Sequence, residues 1–380
     1  MPKLCTKDRC CGCTACAAVC AQDAISFVEG GDGFSYPAVD QGKCVECRRC
    51  EQVCLGLAEY PPLATRNVVA AQTNYDRILQ TSSSGGVFSM LARKVLARGG
   101  VVYGAAFASD FKTVQHRRID QLEDLALLQG SKYLQSNVVG VFRKVKGDLE
   151  AGKDVLFSGT PCQVAGLRAF LGCDSKSLLC VEVICHGVPS PLAWQAYLGQ
   201  RKPVRKVEHR NKAQGWRRFS VVLSHSDGTC ESSFFGDNTY MRGFLSELFN
   251  RKSCSCCVLR GRSSGADITL GDFWQVERFH AEYSADDRGC SAVIIQTEKG
   301  VGAWNQISPE CRVVESSLKN VMVGNLALTK DPAVHPNRAK FFAQLPHRDF
   351  DILVKKLTSP SPWRRGSSLL GRVVRKIGLR

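Results

Sequence analysis

Two runs of four cysteines constrain this chain more than any other feature. Cys10-x2-Cys13-x2-Cys16-x3-Cys20 is followed 34 residues later by Cys44-x2-Cys47-x2-Cys50-x3-Cys54. Four thiolates so closely spaced must converge. The x2 spacings wrap three of them round one compact cube of iron and sulfide, and the fourth reaches across to a second cube. That logic gives Cys10, Cys13, Cys16 and Cys54 to one 4Fe-4S cluster. It gives Cys44, Cys47, Cys50 and Cys20 to the other. Structural zinc also takes four thiolates, but usually from two separated C-x2-C pairs rather than two complete runs. Between the runs, AISFVEGGDGFSYPAV reads as a hairpin around a Gly-Gly-Asp-Gly turn, and Pro61-Pro62 closes the segment. Cys5 and Cys11 are left unassigned.

Residues 1–62 resemble bacterial two-cluster ferredoxins. They depart from that pattern at Ala21 and Leu55, where the family has proline after each fourth cysteine. The whole chain holds 20 cysteines, and its N-terminus has no apolar core of an export signal. Reduced thiols in a cytoplasmic protein point to metal or redox chemistry rather than a disulfide scaffold. No apolar run is long enough to span a membrane. The formal net charge of +16 could serve nucleic acid, but no zinc-finger, RNA-recognition or helix-turn-helix pattern is present, so nucleic acid is not expected as a partner.

Residues 65–315 read as strands alternating with helices. VVAAQ (68–72), VVYGAAF (101–107), DVLFS (154–158), LLCVEVI (178–184) and AVIIQT (292–297) are strand-like. Val87, Phe88, Leu91, Val95 and Leu96 share a helical face, as do Val138, Val141, Phe142, Val145 and Leu149. FSVVLS and TCESSFF add antiparallel strands around an Asp-Gly turn. The pattern predicts a largely parallel or mixed sheet. No dinucleotide-binding G-x-G-x-x-G follows a strand, and there is no Walker A sequence. Ser83, Ser84, Gly85 and Gly86 run into a helix and can cradle an anion, or simply cap that helix. A second polar run carries Lys132, Tyr133 and Ser136, which suit a diphosphate and a ring edge, or an ordinary loop.

Read in order, SSSGGVFSMLARKVLARGGVVYGAAF, GSKYLQSN, GTPCQVAGLR, ICHGVPSP and ADITLGDFW resemble the coenzyme F420 hydrogenase/dehydrogenase beta-subunit family over nearly all of residues 66–300. The resemblance implies an FAD-binding α/β core with its own 4Fe-4S cluster, passing electrons between iron–sulfur centres and an organic partner. In the family those partners include the deazaflavin F420 and a chlorophyll derivative. Members with a fused ferredoxin are often associated with cell-surface polysaccharide metabolism. Cys162, Cys185, Cys254 and Cys257 match the family's cluster positions and imply a third 4Fe-4S cluster. Cys256 lies inside the last pair and is expected to be a neighbour only. His186, beside Cys185, is a candidate proton donor to a reduced substrate, or a structural histidine. Asp272, Phe273 and Trp274 line a ring pocket or serve packing.

Residues 340–380 hold a basic excess. Leu369, Leu370, Val373, Val374 and Ile377 form an apolar stripe there, which fits a weak membrane-surface contact or a solvated basic end. The expected fold is therefore α+β. A dicluster module fills residues 1–62, a mixed-sheet α/β flavin core 65–339 and a basic helical tail 340–380. The expected function is an iron–sulfur flavoprotein oxidoreductase with an organic substrate, served by an electron donor or acceptor protein or a reduced cofactor. The alternative is an electron-transfer subunit of a larger hydrogenase- or dehydrogenase-type complex.

Overall fold

The computed structural model describes residues 2–359. The hairpin forms as expected: β1 (Ile25–Glu29) and β2 (Ser35–Val39) pair antiparallel around Gly30–Gly33. Each cysteine run ends in a short helix, Ala15–Val19 and Arg49–Gln52. The two runs also share a backbone path. Gly12 and Thr14 lie in the left-handed region, and so do Glu46 and Arg48, the positions 34 residues further on. The 34-residue repeat is thus one of conformation as well as composition.

Strands β3 (Asn67–Thr73), β4 (Val101–Phe107), β5 (Val114–Ile119), β6 (Ser136–Asn137), β7 (Val155–Gly159) and β8 (Leu178–Val183) come next. A three-stranded sheet, β9 (Val204–Asn211), β10 (Ser220–His225) and β11 (Cys230–Phe234), interrupts them. The chain then returns with β12 (Ile268–Asp272), β13 (Ser291–Ile295) and β14 (Cys311–Glu315). The nine remaining strands form one mixed sheet in the order β14-β3-β13-β12-β8-β7-β4-β5-β6. Strands β12, β8, β7 and β4 are mutually parallel, and β3 runs the same way because β13 lies antiparallel between it and β12.

Period-two alternation sets the two faces of the sheet. On β7, Val155 and Phe157 join one core and Leu156 the other; on β8, Leu178 and Cys180 oppose Leu179 and Val181. One face is covered by the helix Val87–Leu96, through Val87, Met90, Leu91 and Val95. The opposite face carries the helices Val141–Glu150 and Pro161–Leu171. The cysteine-rich module packs on this second face, where Ala15 and Cys13 enter the same core as Phe142, Phe157 and Val164.

The structure differs from expectation at residue 340. The helices Arg338–Gln344 and Phe350–Thr358 are not a basic tail. Phe341, Phe350, Leu353, Val354 and Leu357 are buried against Trp194, Tyr197 and Tyr240. Aromatic burial at this spacing outweighs the local positive charge. The stripe at 369–377 lies outside the described residues. No helix among the described residues is long and apolar enough to cross a membrane.

Candidate functional site

Cys162, Cys185 and Asp272 lie at the edge where β7, β8 and β12 end. In α/β sheets this carboxyl edge is where sites form, because loops there converge without disturbing the core. Cys162 follows β7 through Thr160-Pro161, and Thr160 N–H donates to Gln163 Oε1 (3.0 Å) to start the helix. Cys185 follows β8, which lies beside β7 in parallel. Cys254 and Cys257 arrive on a short 3-10 turn, Lys252–Cys256.

The four thiols line one cavity, together with Cys11 from the N-terminal module. Burial raises the Cys185 thiol, and the neighbouring Cys254, Cys162 and Cys257 thiolates raise it further. Cys254 is pushed up to about 12, first by burial and then by Cys162 and Cys257. Thiols round one cavity are the donor type that iron–sulfur clusters take, although among the described residues no three His, Cys, Asp or Glu side chains are placed to hold a single metal ion. Cys256 is exposed beside the cavity and its Sγ approaches Asp8 O at 3.7 Å. His186 lies at the rim, with Nε2 2.6 Å from Glu247 Oε1 and its ring edge-on to Phe244.

In the N-terminal module, Cys10, Cys13, Cys16 and Cys50 are buried, Cys20, Cys44 and Cys54 are partly buried, and Cys47 is exposed. Cys16 is pushed up to about 12 by burial and by the thiolates of Cys10, Cys54 and Cys50 around it. Cys20 packs with Cys16 and Cys50, and Cys50 faces Cys47. The two leftover cysteines have definite places. Cys5 hydrogen-bonds both Cys10 and Cys54, and its hydrogen bond lowers each of those thiols to about 6. Cys11 hydrogen-bonds Cys13 on one side and Cys162 on the other. Sequence spacing cannot reveal either contact, since neither residue fits a run.

The module is clamped to the core by polar contacts as well. Arg143 donates from Nε to Ala18 O (2.9 Å) and from Nη2 to Cys20 O (2.6 Å) and Ala17 O (3.2 Å), satisfying carbonyls at the end of the helix Ala15–Val19. Gln135 Nε2 donates to Cys11 O at 3.0 Å. Ser190 Oγ donates to Asp32 O at 2.6 Å.

Further along the edge the two polar runs meet: Ser131 Oγ donates to Ser83 Oγ at 2.9 Å. Gly85 and Gly86 are required by packing. A Cβ on Gly85 would lie 2.1 Å from Ala71 O, and one on Gly86 2.7 Å from Thr73 Cγ2. Ser84 Oγ donates to Cys290 O at 2.8 Å. Lys132 Nζ donates to Gln129 O (2.7 Å) and Leu127 O (3.0 Å), and burial lowers its pKa to about 7. Tyr133 packs at a tilt against His209 and Phe244. Ser136 lies on the edge strand β6 and its buried Oγ bonds His116 Nδ1 at 2.8 Å, so it is engaged away from the other polar groups.

Sequence reasoning missed the contribution of β9. Arg210 is buried, paired with Asp272 and stacked over Phe219 (4.4 Å) and Trp274 (5.0 Å). Among the described residues its Nε and Nη2 make no hydrogen bond, and neither does His209 Nε2. Lys212 Nζ donates to Arg288 O (2.6 Å), Leu79 O (2.7 Å) and Ser84 O (3.2 Å). Trp216 Nε1 holds Asp272 Oδ1 at 2.7 Å and its ring stacks on Trp274 at 4.8 Å. Phe273 is core, not pocket.

Residues 9–55 match the family model of the 4Fe-4S dicluster domain, a span that holds all eight cysteines of the two runs. Residues 152–320 match the model for the C terminus of the coenzyme F420 hydrogenase/dehydrogenase beta subunit. The chain thus matches a 4Fe-4S dicluster domain near its start and, further on, the C terminus of an F420 hydrogenase/dehydrogenase beta subunit. The beta-subunit match spans Cys162, Cys185, Cys254, Cys257 and the Arg210–Asp272 pair, while Ser83–Gly86, Lys132 and Tyr133 lie before it. Among solved structures, a chain of the F420-reducing NiFe hydrogenase complex from Methanosarcina barkeri shares the fold. Its TM-score is 0.51 at 17% identity, over 75% of this chain and 96% of that one. No curated protein matches the sequence.

Proposed function

We propose that this chain is an iron–sulfur electron-transfer subunit that works against a hydrogenase- or dehydrogenase-type partner. One observation carries the reading: Cys11, between Cys10 and Cys13 of the dicluster module, also touches Cys162 and lines the cavity of the core thiols. Cys10, Cys13, Cys16 and Cys54 are assigned to the cluster nearer the core. Cys44, Cys47, Cys50 and Cys20 are assigned to the distal one, whose loop carries exposed Cys47. Cys162, Cys185, Cys254 and Cys257 are assigned to a third. When bound, 4Fe-4S clusters carry single electrons without breaking bonds. The chain's own residues hold the thiols rigidly, exclude water and keep the module seated by Arg143, Gln135 and Ser190.

A flavin at the other end of the edge is the finer part of the proposal. Arg210, Lys132, Lys212, Ser83 and Ser131 offer cations and hydroxyls for a diphosphate. Trp274 and Tyr133 offer ring faces, and Arg210 Nε and Nη2 are buried donors that make no hydrogen bond among the described residues. A buried guanidinium of this kind favours an anionic group nearby. His186, held against Glu247 and packed edge-on to Phe244, is the candidate proton donor beside Cys185.

The test is Cys257→Ala beside Cys256→Ala, both purified anaerobically as full chains. Cys257→Ala is expected to lose roughly four irons, one cluster's worth, and one spectroscopic signal while keeping the dicluster signals. Cys256→Ala is expected to match the parent. Unchanged iron in Cys257→Ala would reduce the core quartet to structural cysteines.

A further inference from the structure

Arg251 immediately precedes the turn that carries Cys254, and only 2% of its surface is exposed. Its Nε donates to Cys10 O (2.7 Å), its Nη1 to Gln135 Oε1 (2.8 Å) and its Nη2 to Ser35 O (2.9 Å). Nη2 also reaches Cys10 Sγ at 3.7 Å. The guanidinium lies over the rings of Tyr36 (4.6 Å) and Phe34 (5.0 Å). Every acceptor it has is neutral or a thiol. Among the described residues no carboxylate pairs with it, and the nearby Asp32 is taken by Arg338. A buried charge without a counter-charge costs several kcal/mol or more. The fold keeps this one between Cys10 on one side and Cys162 and Cys254 on the other, whose thiolates all feel its positive field.

We infer that Arg251 is the built-in counter-charge of the cluster nearer the core, and that it raises that cluster's reduction potential above the distal one's. Taking up one electron from the distal cluster makes the nearer cluster more negative by one charge and breaks no bond. A fixed cation with a hydrogen bond to a ligand sulfur favours that reduced state. None of Arg251's contacts involves Cys20, Cys44, Cys47 or Cys50. The cation beside the distal cluster, Arg143 at Cys20 O, is 43% exposed and paired with Asp23, so solvent and a carboxylate screen it where Arg251 is buried and unpaired. The result is a downhill step from the exposed end of the module toward the core. The inference rests on the assignment of Cys10 to the nearer cluster. It does not need a cluster on the core quartet, because the readout is taken on the dicluster module alone.

The experiment is anaerobic redox titration of the full chain by electron paramagnetic resonance, with iron counted in each sample. Arg251→Gln keeps hydrogen-bonding capacity and removes the charge. It is expected to hold the dicluster irons while the nearer cluster's reduction equilibrium falls at least tenfold, about 59 mV for one electron, with the distal cluster unmoved. Arg251→Lys, which keeps the charge, is expected to shift less than threefold. Gln135→Met, which loosens the same clamp without touching charge, is expected to leave both potentials in place. An unmoved nearer cluster in Arg251→Gln with iron intact would overturn the inference, as would equal shifts in both clusters. If Arg251→Gln sheds iron, the lysine variant decides: a shift below threefold supports the counter-charge, and a tenfold shift refutes it.

Discussion

Gly33 and Gly31 sit two residues apart in the hairpin turn of the dicluster module, and the structure gives them opposite sensitivities. Gly33 has φ +74, and a Cβ there would lie 2.4 Å from Leu192 Cβ, 2.7 Å from Leu192 N and 2.9 Å from Ser190 Oγ. Leu192 opens the helix Pro191–Gly199, whose Trp194 and Tyr197 are fully buried, so its backbone cannot retreat. Gly31 has ordinary φ and nothing within 4 Å of the same construction. Gly33→Ala therefore combines left-handed strain of about 1–2 kcal/mol with overpacking of about 1–3 kcal/mol, so a cost of roughly 2–5 kcal/mol is expected. Relief comes only by lifting the hairpin, which breaks Ser190 Oγ to Asp32 O and Arg338 Nη2 to Asp32 Oδ2. Gly31→Ala is expected to be neutral or to stabilise by about 0.5 kcal/mol. Anaerobic urea unfolding, with iron release to a chelator followed in parallel, compares the two. Gly33→Ala should melt at lower urea and release iron sooner than the parent, and Gly31→Ala should not. Indistinguishable curves for the two variants would show that the hairpin does not seat the module on the core.

Two further outcomes are expected. Burial lowers His116 to about 4 and His209 to about 3, so both stay neutral in the fold while an unfolded histidine takes a proton near 6.5. Their contribution is complete above about pH 6.5 and is lost as pH falls toward 4, at up to about 1.4 kcal/mol per pH unit each. The urea midpoint should drop between pH 7 and 5.5, and His209→Gln should flatten that slope; an equally steep slope in the variant would exclude His209 as a source. Arg210→Gln, made together with Asp272→Asn so that no buried carboxylate is left alone, should retain at least tenfold less flavin per chain at unchanged iron. Equal released flavin in variant and parent would remove Arg210 from the flavin reading.

The strands are legible because burial on a sheet leaves a trace that no other structure leaves. On β7 and β8 apolar side chains face both layers, so the runs read as continuous apolar segments. Their parallel pairing follows from the helix Pro161–Leu171 that separates them. The segment from 340 reads as a tail for a reason that is equally physical. Lys340, Arg348, Lys355 and Lys356 are exposed, and the signal that matters is Phe350, Leu353, Val354 and Leu357 at helical spacing. Net charge describes a surface; periodicity describes what is buried.

The site divides along the same line. Cysteine runs are legible because their spacing is local: the spacing and the left-handed turns at Gly12, Thr14, Glu46 and Arg48 are properties of a dozen residues each. The groups that link one centre to the next are not local. Cys11 acquires its meaning from Cys162, far along the chain at the start of a core helix, and Arg251 from Cys10. His209, Arg210 and Lys212 belong to VRKVEHRN and the residue after it, a stretch that reads as a solvated edge strand until Tyr133, Asp272 and Trp274 close over it. A charged residue is cheap on a surface and costly when buried, and the sequence alone does not say which of the two it is. Where the fold retains a buried cation without a carboxylate, as at Arg251, the missing anion is the informative quantity. It points to the thiolate-bound clusters that the cysteine spacing requires.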